Sequence, residues 1–262
     1  MDVQNGQEII DKLRSAGCVF AEEEAQLLIS EARTMEHLKT MTELRVTGRP
    51  IEYVVGATTF CNLRIELEMG VFIPRRRTEF LVQQARALAC PGDIVVDLCC
   101  GSGAVGAALA AELNRISLYA VDIDPIAVRC AARNVTDKGG QVFQGDLYTP
   151  LPQSLKGRVN IIVANTPYVP TEAIEMLPQE ARLYEPKVAL DGGQDGLDLQ
   201  RKAAQEAPRW LAPGGHLLIE TSERQAPKTF EIFMSAGLTT RIVRNEEMDA
   251  TVVIGVRPPL EY

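Results

Sequence analysis

The sequence predicts an α/β fold: a doubly wound, seven-stranded, mostly parallel sheet with an antiparallel last strand, a small N-terminal helical domain and a β-hairpin linker. Three observations support this prediction. From about residue 78 onward, short apolar runs alternate with stretches of helical periodicity, as in strands joined by crossover helices. A glycine-rich turn follows the first of these runs, as at the ligand-binding end of such sheets. Two successive extended runs, joined by the polar residues NEEMD, close the chain and indicate an antiparallel edge.

The N-terminal domain, residues 1–48, is expected to contain two helices. In the second helix, apolar residues recur every three or four positions from Ala25 to Leu38, and Gly48 and Pro50 end it. Two helices of this size do not hold a core alone, so they must dock on another part of the chain.

The linker, residues 49–78, is predicted to be a small β-hairpin, since the turn residues Gly56 and Asn62 separate short extended runs. Those runs are 53–55, 58–61 and 64–67. The main domain, residues 79–262, follows. Its predicted strands are 94–98, 117–121, 141–144, 160–164, 216–220, 240–243 and 251–256, and its predicted helices are 79–89, 104–113, 125–134, 197–211 and 225–236.

The charge balance weighs against nucleic acid as a partner. Lys and Arg count 27 against 35 Asp and Glu, a net charge of −8, whereas phosphate binding needs an excess of Lys and Arg. The six cysteines form no C-x-x-C pair and only two histidines exist, so no metal site is expected. No signal peptide and no apolar stretch of roughly 18 residues is found. We therefore expect a cytoplasmic protein with free thiols that does not bind a membrane.

The first chemical motif is VVDLCCGSGAVG, residues 95–106, a strand, a glycine-rich turn and a helix start that bring backbone amides close to a ligand. Gly101, Gly103 and Gly106 spell G-x-G-x-x-G, with Asp122 about 20 residues further on, which fits a dinucleotide. Asp97 precedes Gly101 by four residues, and this Asp-x-x-x-Gly-x-Gly pattern resembles the first motif of class I S-adenosylmethionine methyltransferases. That resemblance implies cofactor contacts at Asp97, Cys99, Cys100, Gly101, Ser102 and Gly103, with Cys99 where the family usually has glycine.

Two more strand ends carry acidic residues. After the second strand of the main domain, Asp122 and Ile123 are candidates for cofactor binding, because a carboxylate there can accept both ribose hydroxyl hydrogens. Asp124 precedes Pro125 at a helix start and is expected to be a helix N-cap. After the third strand, Asp146 and Leu147 stand where the same fold places an acid near the adenine amino group, although a turn role for Asp146 is equally open.

The tetrapeptide Asn165-Thr166-Pro167-Tyr168 decides between the two cofactors, since a dehydrogenase has no use for it at this strand end. It closely resembles the Asn-Pro-Pro-Tyr signature of methyltransferases that act on planar NH2 groups, with Thr166 in place of proline. Such a nitrogen is a poor nucleophile, because its lone pair is delocalised. Two acceptors, the Asn165 side-chain oxygen and the backbone carbonyl of residue 166, can bind both N–H hydrogens, aim the nitrogen at the methyl group and stabilise the developing positive charge. Tyr168 can lie against the planar group.

The resemblance extends to the HemK/PrmC family of protein-(glutamine-N5) methyltransferases, on Ile73-Pro74-Arg75, Thr78-Glu79 and the run AEEEAQLLISEA at residues 21–32. With Cys99, Thr166 and Arg76 off the family pattern, the chain resembles a divergent PrmC-related branch. The resemblance implies that S-adenosylmethionine is the cofactor, with Asn165 beside it, and that Phe72, Pro74 and Arg75 close over it. It also implies methyl transfer to a glutamine side-chain amide of a protein that the helical domain binds, which in this family is a peptide chain release factor. Arg76 and Arg77 are expected to be solvated.

Two other functions stay open at this point. Methylation of adenine N6 in a nucleic acid uses the same planar NH2 chemistry, but the net charge of −8 speaks against it. A degenerate fold that binds S-adenosylmethionine and serves as a scaffold is the other, and Thr166 and Cys99 are its only support. A nicotinamide oxidoreductase is a distant further alternative.

Overall fold

The computed structural model describes residues 3–113 and 115–259, and its main feature is a seven-stranded sheet. Strands β1 (Ala57–Phe60) and β2 (Leu63–Glu66) form a separate hairpin. The large sheet contains β3 (Ile94–Leu98), β4 (Ser117–Asp122), β5 (Gln141–Gln144), β6 (Val159–Ala164), β7 (Leu211–Thr221), β8 (Thr239–Asn245) and β9 (Ala250–Val256).

These strands lie in the order β5-β4-β3-β6-β7-β9-β8, which confirms the predicted doubly wound sheet. Strands β3 to β7 pair in parallel, and β9 is antiparallel to both β7 and β8. The order runs outward in both directions from the neighbours β3 and β6, so their carboxyl ends meet at the switch point where such sheets bind ligands.

The helices are α1 (Val3–Ser15), α2 (Ala21–Glu31), α3 (Met35–Val46), α4 (Ile51–Val55), α5 (Glu79–Leu88), α6 (Ala104–Glu112), α7 (Pro125–Val135), α8 (Gln179–Tyr184), α9 (Asp198–Trp210) and α10 (Ala226–Ser235). Side chains alternate along each strand between two buried clusters. Val95 and Val163 face the cluster that contains α5 and α6, while Val96 and Ile162 face the cluster that contains α9 and α10. None of the described helices is long and apolar enough to cross a membrane.

The N-terminal region contains three helices where two were predicted. The predicted second helix is broken, because Ala32 is extended after α2 and Thr34 is extended before α3 begins at Met35. Thr34 caps α3 by accepting a hydrogen bond from the backbone N–H of His37 at 3.1 Å. The apolar periodicity continues through the break, since α2 and α3 bury Leu28 and Leu38 in one cluster.

The linker begins with a helix, so the prediction of an extended run at 53–55 was wrong. Its β-branched and aromatic residues suggest a strand, but Gly56 in a left-handed conformation (φ 75°) ends a short helix there. The hydroxyl of the buried Tyr53 donates to the carbonyl of Val71 at 2.6 Å. The predicted hairpin is present, and Cys61 and Asn62 both have positive φ in its two-residue turn.

Residues 171–190, here called the cap segment, form elements that were not predicted. They contain α8 and two short 3-10 helices, Thr171–Met176 and Lys187–Ala189. The carboxylate of Glu185 in this segment is buried and binds the Arg75 guanidinium at 2.6 Å. The cap segment is thereby attached to the linker.

Candidate active site

A cavity of about 780 Å³ opens at the carboxyl ends of β3, β4 and β6, between the sheet, the linker and the cap segment. Its size is typical of pockets for cofactors and small molecules. The topology brings nearly all the predicted site residues to it, because parallel strands end at one edge of the sheet. Those that line it are Phe72, Pro74, Arg75, Asp97, Cys99, Cys100, Gly101, Ser102, Asp122, Ile123, Asp146, Leu147, Asn165, Thr166, Pro167 and Tyr168. Gly103 lies behind the turn and does not line it.

The glycine-rich turn between β3 and α6 has a left-handed backbone at Cys99, Gly101 and Gly103. At Gly103, a Cβ atom would lie 2.8 Å from Cγ2 of Val135 on α7, so only glycine fits without rearrangement. Cys99 adopts φ 55°, a conformation that costs a side-chain-bearing residue about 1 kcal/mol. This explains why glycine suits that position, and it shows that the chain tolerates the strain at the cavity wall.

Asp97, at the end of β3, is only 2% exposed. Its Oδ2 accepts a hydrogen bond from the backbone N–H of Gly106 at 2.9 Å. Burial raises the pKa of Asp97 to about 7, and the nearby Asp122 carboxylate adds to the effect, while the Gly106 hydrogen bond opposes it. In its ionised form, Asp97 can pair with a cation that enters the cavity.

Asp122 ends β4 and holds the turn through both oxygens. Oδ2 accepts from the N–H of Gly101 at 2.8 Å, and Oδ1 accepts from the N–H of Asp124 at 2.9 Å. Each oxygen keeps a second lone pair for a ligand hydroxyl. Asp124 caps α7 by accepting from the N–H of Ile126 at 2.8 Å, as predicted. Asp146 is exposed at the cavity rim, after β5.

Asn165 and Tyr168 follow β6 directly. The Asn165 amide nitrogen donates to the hydroxyl of Thr78 at 3.2 Å, so its side-chain oxygen is left for other partners. Thr166 is 1% exposed, and its hydroxyl has no hydrogen-bonding partner among the described residues. The backbone carbonyl of Tyr168 accepts from the Gln225 side-chain amide at 2.9 Å.

Three residues at this site were missed by sequence reasoning. The prediction that Arg77 is solvated was wrong: its guanidinium donates to the Tyr168 hydroxyl at 2.8 Å, and its Nε lies 3.5 Å from a carboxylate oxygen of Glu220. Arg76 is exposed, as predicted. Glu220 is buried in β7, and Thr78 lines the cavity. An acidic residue at the end of the apolar run HLLIE, on a strand that ends at the ligand-binding edge, was the available signal for Glu220.

Arg75 connects the linker to the cap segment over the cavity. It binds Glu185, and its guanidinium carbon lies 5.0 Å from the centre of the Phe72 ring. Burial raises the pKa of Glu185, and the charge of Arg75 opposes this effect. Arg75 therefore lines the cavity and also attaches the cap segment to the linker.

Comparison with known proteins gives a consistent result. The methyltransferase small domain family matches residues 63–184. The release factor glutamine methyltransferase of Geobacter sulfurreducens is 36% identical over 215 residues, which cover 81% of this chain and 75% of that protein. The 4-amino-L-phenylalanine/4-methylamino-L-phenylalanine methyltransferase of Streptomyces pristinaespiralis is 34% identical over 200 residues, which cover 74% and 68%.

Solved structures bear out the class I methyltransferase fold. A methyltransferase from Pyrococcus furiosus superposes with a TM-score of 0.53 at 15% sequence identity, over 69% of this chain and 82% of that one. The sheet order, the glycine-rich turn and the Asn-Thr-Pro-Tyr tetrapeptide agree with these relationships. The chain belongs to the family of release factor glutamine methyltransferases.

Proposed function

We propose that this protein transfers the methyl group of S-adenosylmethionine to the side-chain amide nitrogen of a glutamine in a protein, namely a peptide chain release factor. One observation carries the proposal: Thr78 holds the amide nitrogen of Asn165, which leaves the Asn165 oxygen to accept an N–H from a substrate in the cavity. The names of the relatives add support at the level of the substrate.

The residues at the glycine-rich turn suit the cofactor. When bound, S-adenosylmethionine supplies an electrophilic methyl group on a positively charged sulfur. We propose that Asp97 pairs with the amino group of its methionine part and that Asp122 accepts from its ribose hydroxyls. Gly101, which has no side chain, lets the backbone approach the ligand closely. The exposed Asp146, at the rim of the cavity, would accept a hydrogen bond from the adenine amino group.

The tetrapeptide would act on the glutamine amide. Its Asn165 oxygen and the backbone carbonyl of Thr166 accept the two N–H hydrogens and turn the nitrogen toward the methyl group. Both acceptors stabilise the positive charge that develops on the nitrogen during transfer. Tyr168, whose hydroxyl is bound by Arg77, presents its ring to the planar amide. No strong base is needed, because the methylated amide nitrogen loses its proton readily to water.

The helical domain, residues 1–48, is proposed to bind the protein substrate. Val19 and Phe20 between α1 and α2 are 84% and 64% exposed, and large exposed apolar side chains are typical of binding surfaces. The division of the chain at residues 48 and 78 and the cytoplasmic location stay predictions.

The experiment is a tritiated-methyl assay on purified release factors, with whole lysate and nucleic acid in parallel. We expect labelling of a release factor by the wild-type protein and none by the Asn165→Ala variant, which should still bind S-adenosylmethionine in calorimetry. If that variant kept its activity, the amide-orienting mechanism would be wrong. Labelling of nucleic acid alone would overturn the proposal that the substrate is a protein.

A second candidate substrate is a small planar aromatic amine. The Streptomyces pristinaespiralis relative is named for methylation of such an amine, at nearly the same identity as the release factor enzymes. Thr166, where proline is usual, lies within the tetrapeptide that binds the acceptor. Adding 4-amino-L-phenylalanine to the assay separates the two, and Thr166→Pro is expected to retain or raise activity on a glutamine amide.

A further inference from the structure

One short turn at the end of the linker contacts both ends of the tetrapeptide. Residues Arg76–Thr78 form a 3-10 helix before α5, and Arg77 and Thr78 both line the cavity. The Thr78 hydroxyl accepts from the amide nitrogen of Asn165, and the Arg77 guanidinium donates to the Tyr168 hydroxyl at 2.8 Å. The proposed methyl transfer depends on the contact with Asn165 but does not require Arg77.

Tyr168 is held at its backbone and at the tip of its side chain. Its carbonyl accepts from the Gln225 side-chain amide at 2.9 Å, and Pro167, whose ring fixes φ, precedes it. Burial raises the pKa of Tyr168 to about 12, so its hydroxyl is neutral at physiological pH and the oxygen accepts from Arg77. A tyrosine side chain has two rotatable bonds, and a hydrogen bond from a charged donor contributes about 1.5 to 3 kcal/mol. The two contacts together therefore restrict the ring to one position.

We propose that Arg77 is a positioning residue that acts through the Tyr168 hydroxyl to hold the Tyr168 ring against the planar acceptor group. The position of the ring matters, because a displacement of about 1 Å at a reacting centre can cost 100-fold in rate. A ring that moves also lets the acceptor tilt away from Asn165 and the Thr166 carbonyl. The proposal rests on the proposed function, because the ring belongs to the same acceptor site.

The first variant is Arg77→Met, which keeps most of the apolar stem of the side chain but cannot donate a hydrogen bond. We expect kcat to fall about tenfold, because the Tyr168 ring is then displaced in most molecules. The affinity for S-adenosylmethionine should not fall, because the loss of a positive charge from the cavity wall does not disfavour a cationic ligand. A folded Arg77→Met variant with kcat within twofold of wild type would overturn the proposal.

The matched control is Arg76→Met. Arg76 belongs to the same 3-10 helix as Arg77, but it is exposed and does not line the cavity. Its replacement removes the same charge and the same side chain one position away, so kcat should stay within about twofold of wild type. Equal losses of kcat in the two variants would show a general effect of the arginine run and would contradict a role through Tyr168.

A second variant, Tyr168→Phe, shows which contact of Arg77 matters. The Nε of Arg77 also lies 3.5 Å from a carboxylate oxygen of the buried Glu220, so Arg77→Met removes a charge from beside that carboxyl. Tyr168→Phe removes only the oxygen that accepts from Arg77, and it should lower kcat about tenfold as well. If Arg77 acts through the hydroxyl, the double variant should have kcat within about threefold of Tyr168→Phe. Losses that multiply in the double variant would show that Arg77 acts through Glu220 or through its charge, and the proposal would be wrong.

An NMR measurement without substrate separates failure of this inference from failure of the proposed function. With ¹³C at the oxygen-bearing ring carbon of the six tyrosines, the signal that is absent from Tyr168→Phe belongs to Tyr168. Arg77→Met should shift this signal, and Arg76→Met should leave it unchanged. An unchanged signal in Arg77→Met would rule out the hydrogen bond and with it the role of Arg77.

The substrate is tested by the wild-type protein alone. If it methylates 4-amino-L-phenylalanine and not a release factor, the proposed substrate is wrong, and the same variants are compared on that amine. The predicted order of kcat, with Arg76→Met like wild type and with Arg77→Met and Tyr168→Phe impaired, applies to either planar acceptor.

Discussion

Replacing Asp97 by asparagine should stabilise the ligand-free protein at neutral pH while weakening its cofactor binding. The pKa of the buried Asp97 is raised to about 7, against 3.8 for an ordinary aspartate. Between these values, the unfolded chain has released the proton that the folded chain still holds. The free energy of unfolding therefore falls as pH rises through this window, and the loss is complete only above pH 7.

The magnitude follows from the width of the window. It spans about three pH units, and one unit is worth about 1.36 kcal/mol, so ionised Asp97 costs about 4 kcal/mol in total. About 2 to 3 kcal/mol of this cost accrues between pH 5 and pH 8. Asparagine keeps an oxygen that can accept from the Gly106 N–H, so Asp97→Asn removes the titration and leaves that hydrogen bond in place.

Urea unfolding of both proteins at several pH values measures the effect. Glu185 and Glu220 also have raised pKa values, but they are common to both proteins and do not shift the pKa of Asp97, so they leave the difference unaffected. We expect the variant to gain about 2 to 3 kcal/mol over wild type between pH 5 and pH 8. A difference that changes by less than 1 kcal/mol over this range would refute the titration of Asp97.

The affinity for the cofactor should rise with pH, whereas the free energy of unfolding falls. If ionised Asp97 pairs with the amino group of S-adenosylmethionine, wild-type affinity rises about eightfold from pH 6 to pH 7.5, as the ionised fraction grows. Calorimetry in two buffers should also detect the proton released on binding at pH 6. Asp97→Asn should bind about 10 to 100 times more weakly, with no such pH dependence. Equal affinities for both proteins would show that Asp97 does not bind the cofactor.

Two further predictions concern stability. Thr166→Val should raise the free energy of unfolding by about 1 kcal/mol in urea, because it removes a buried hydroxyl without a partner, and a decrease would mean that the hydroxyl is bound. Arg45→Met should lower it by about 2 kcal/mol, since the buried Arg45 binds the half-buried Glu24 at 2.7 Å and Glu180 of the cap segment at 2.8 Å. Lys12→Met, which breaks an exposed pair, is the control and should change it by less than about 0.5 kcal/mol.

The strands of the large sheet could be predicted because most of them contain an apolar run, although β7 begins at Leu211, five residues before the predicted start. Strand β3 coincides with the predicted range 94–98, and β6 begins one residue before the prediction. Prediction failed where a local signal competed with the wider pattern. The break before α3 depends on one capping residue, Thr34, and α4 on one glycine, Gly56. The cap segment has no long periodicity, so its short helices left no pattern to recognise.

The candidate site was predictable as far as it lies in continuous motifs. Asp97 and Asn165 each stand at the end of a recognisable strand, and the topology brings both to one cavity. The support behind Asn165 was not predictable, because Thr78 lies 87 residues away in the sequence. Arg77 was misjudged for the same reason: within the run of arginines nothing distinguishes it, and only the fold brings it to Glu220.

The two buried carboxylates together suggest how the site favours methyl transfer. Asp97 lies on β3 and Glu220 on β7, the two strands that flank β6, and Asn165 follows β6 between them. Burial raises the pKa of each, so each ionised group destabilises the ligand-free protein. In the proposed transfer, positive charge moves from the sulfonium toward the amide nitrogen held by Asn165, so these carboxylates favour the reaction to the extent that they stabilise that shifted charge more than the initial one.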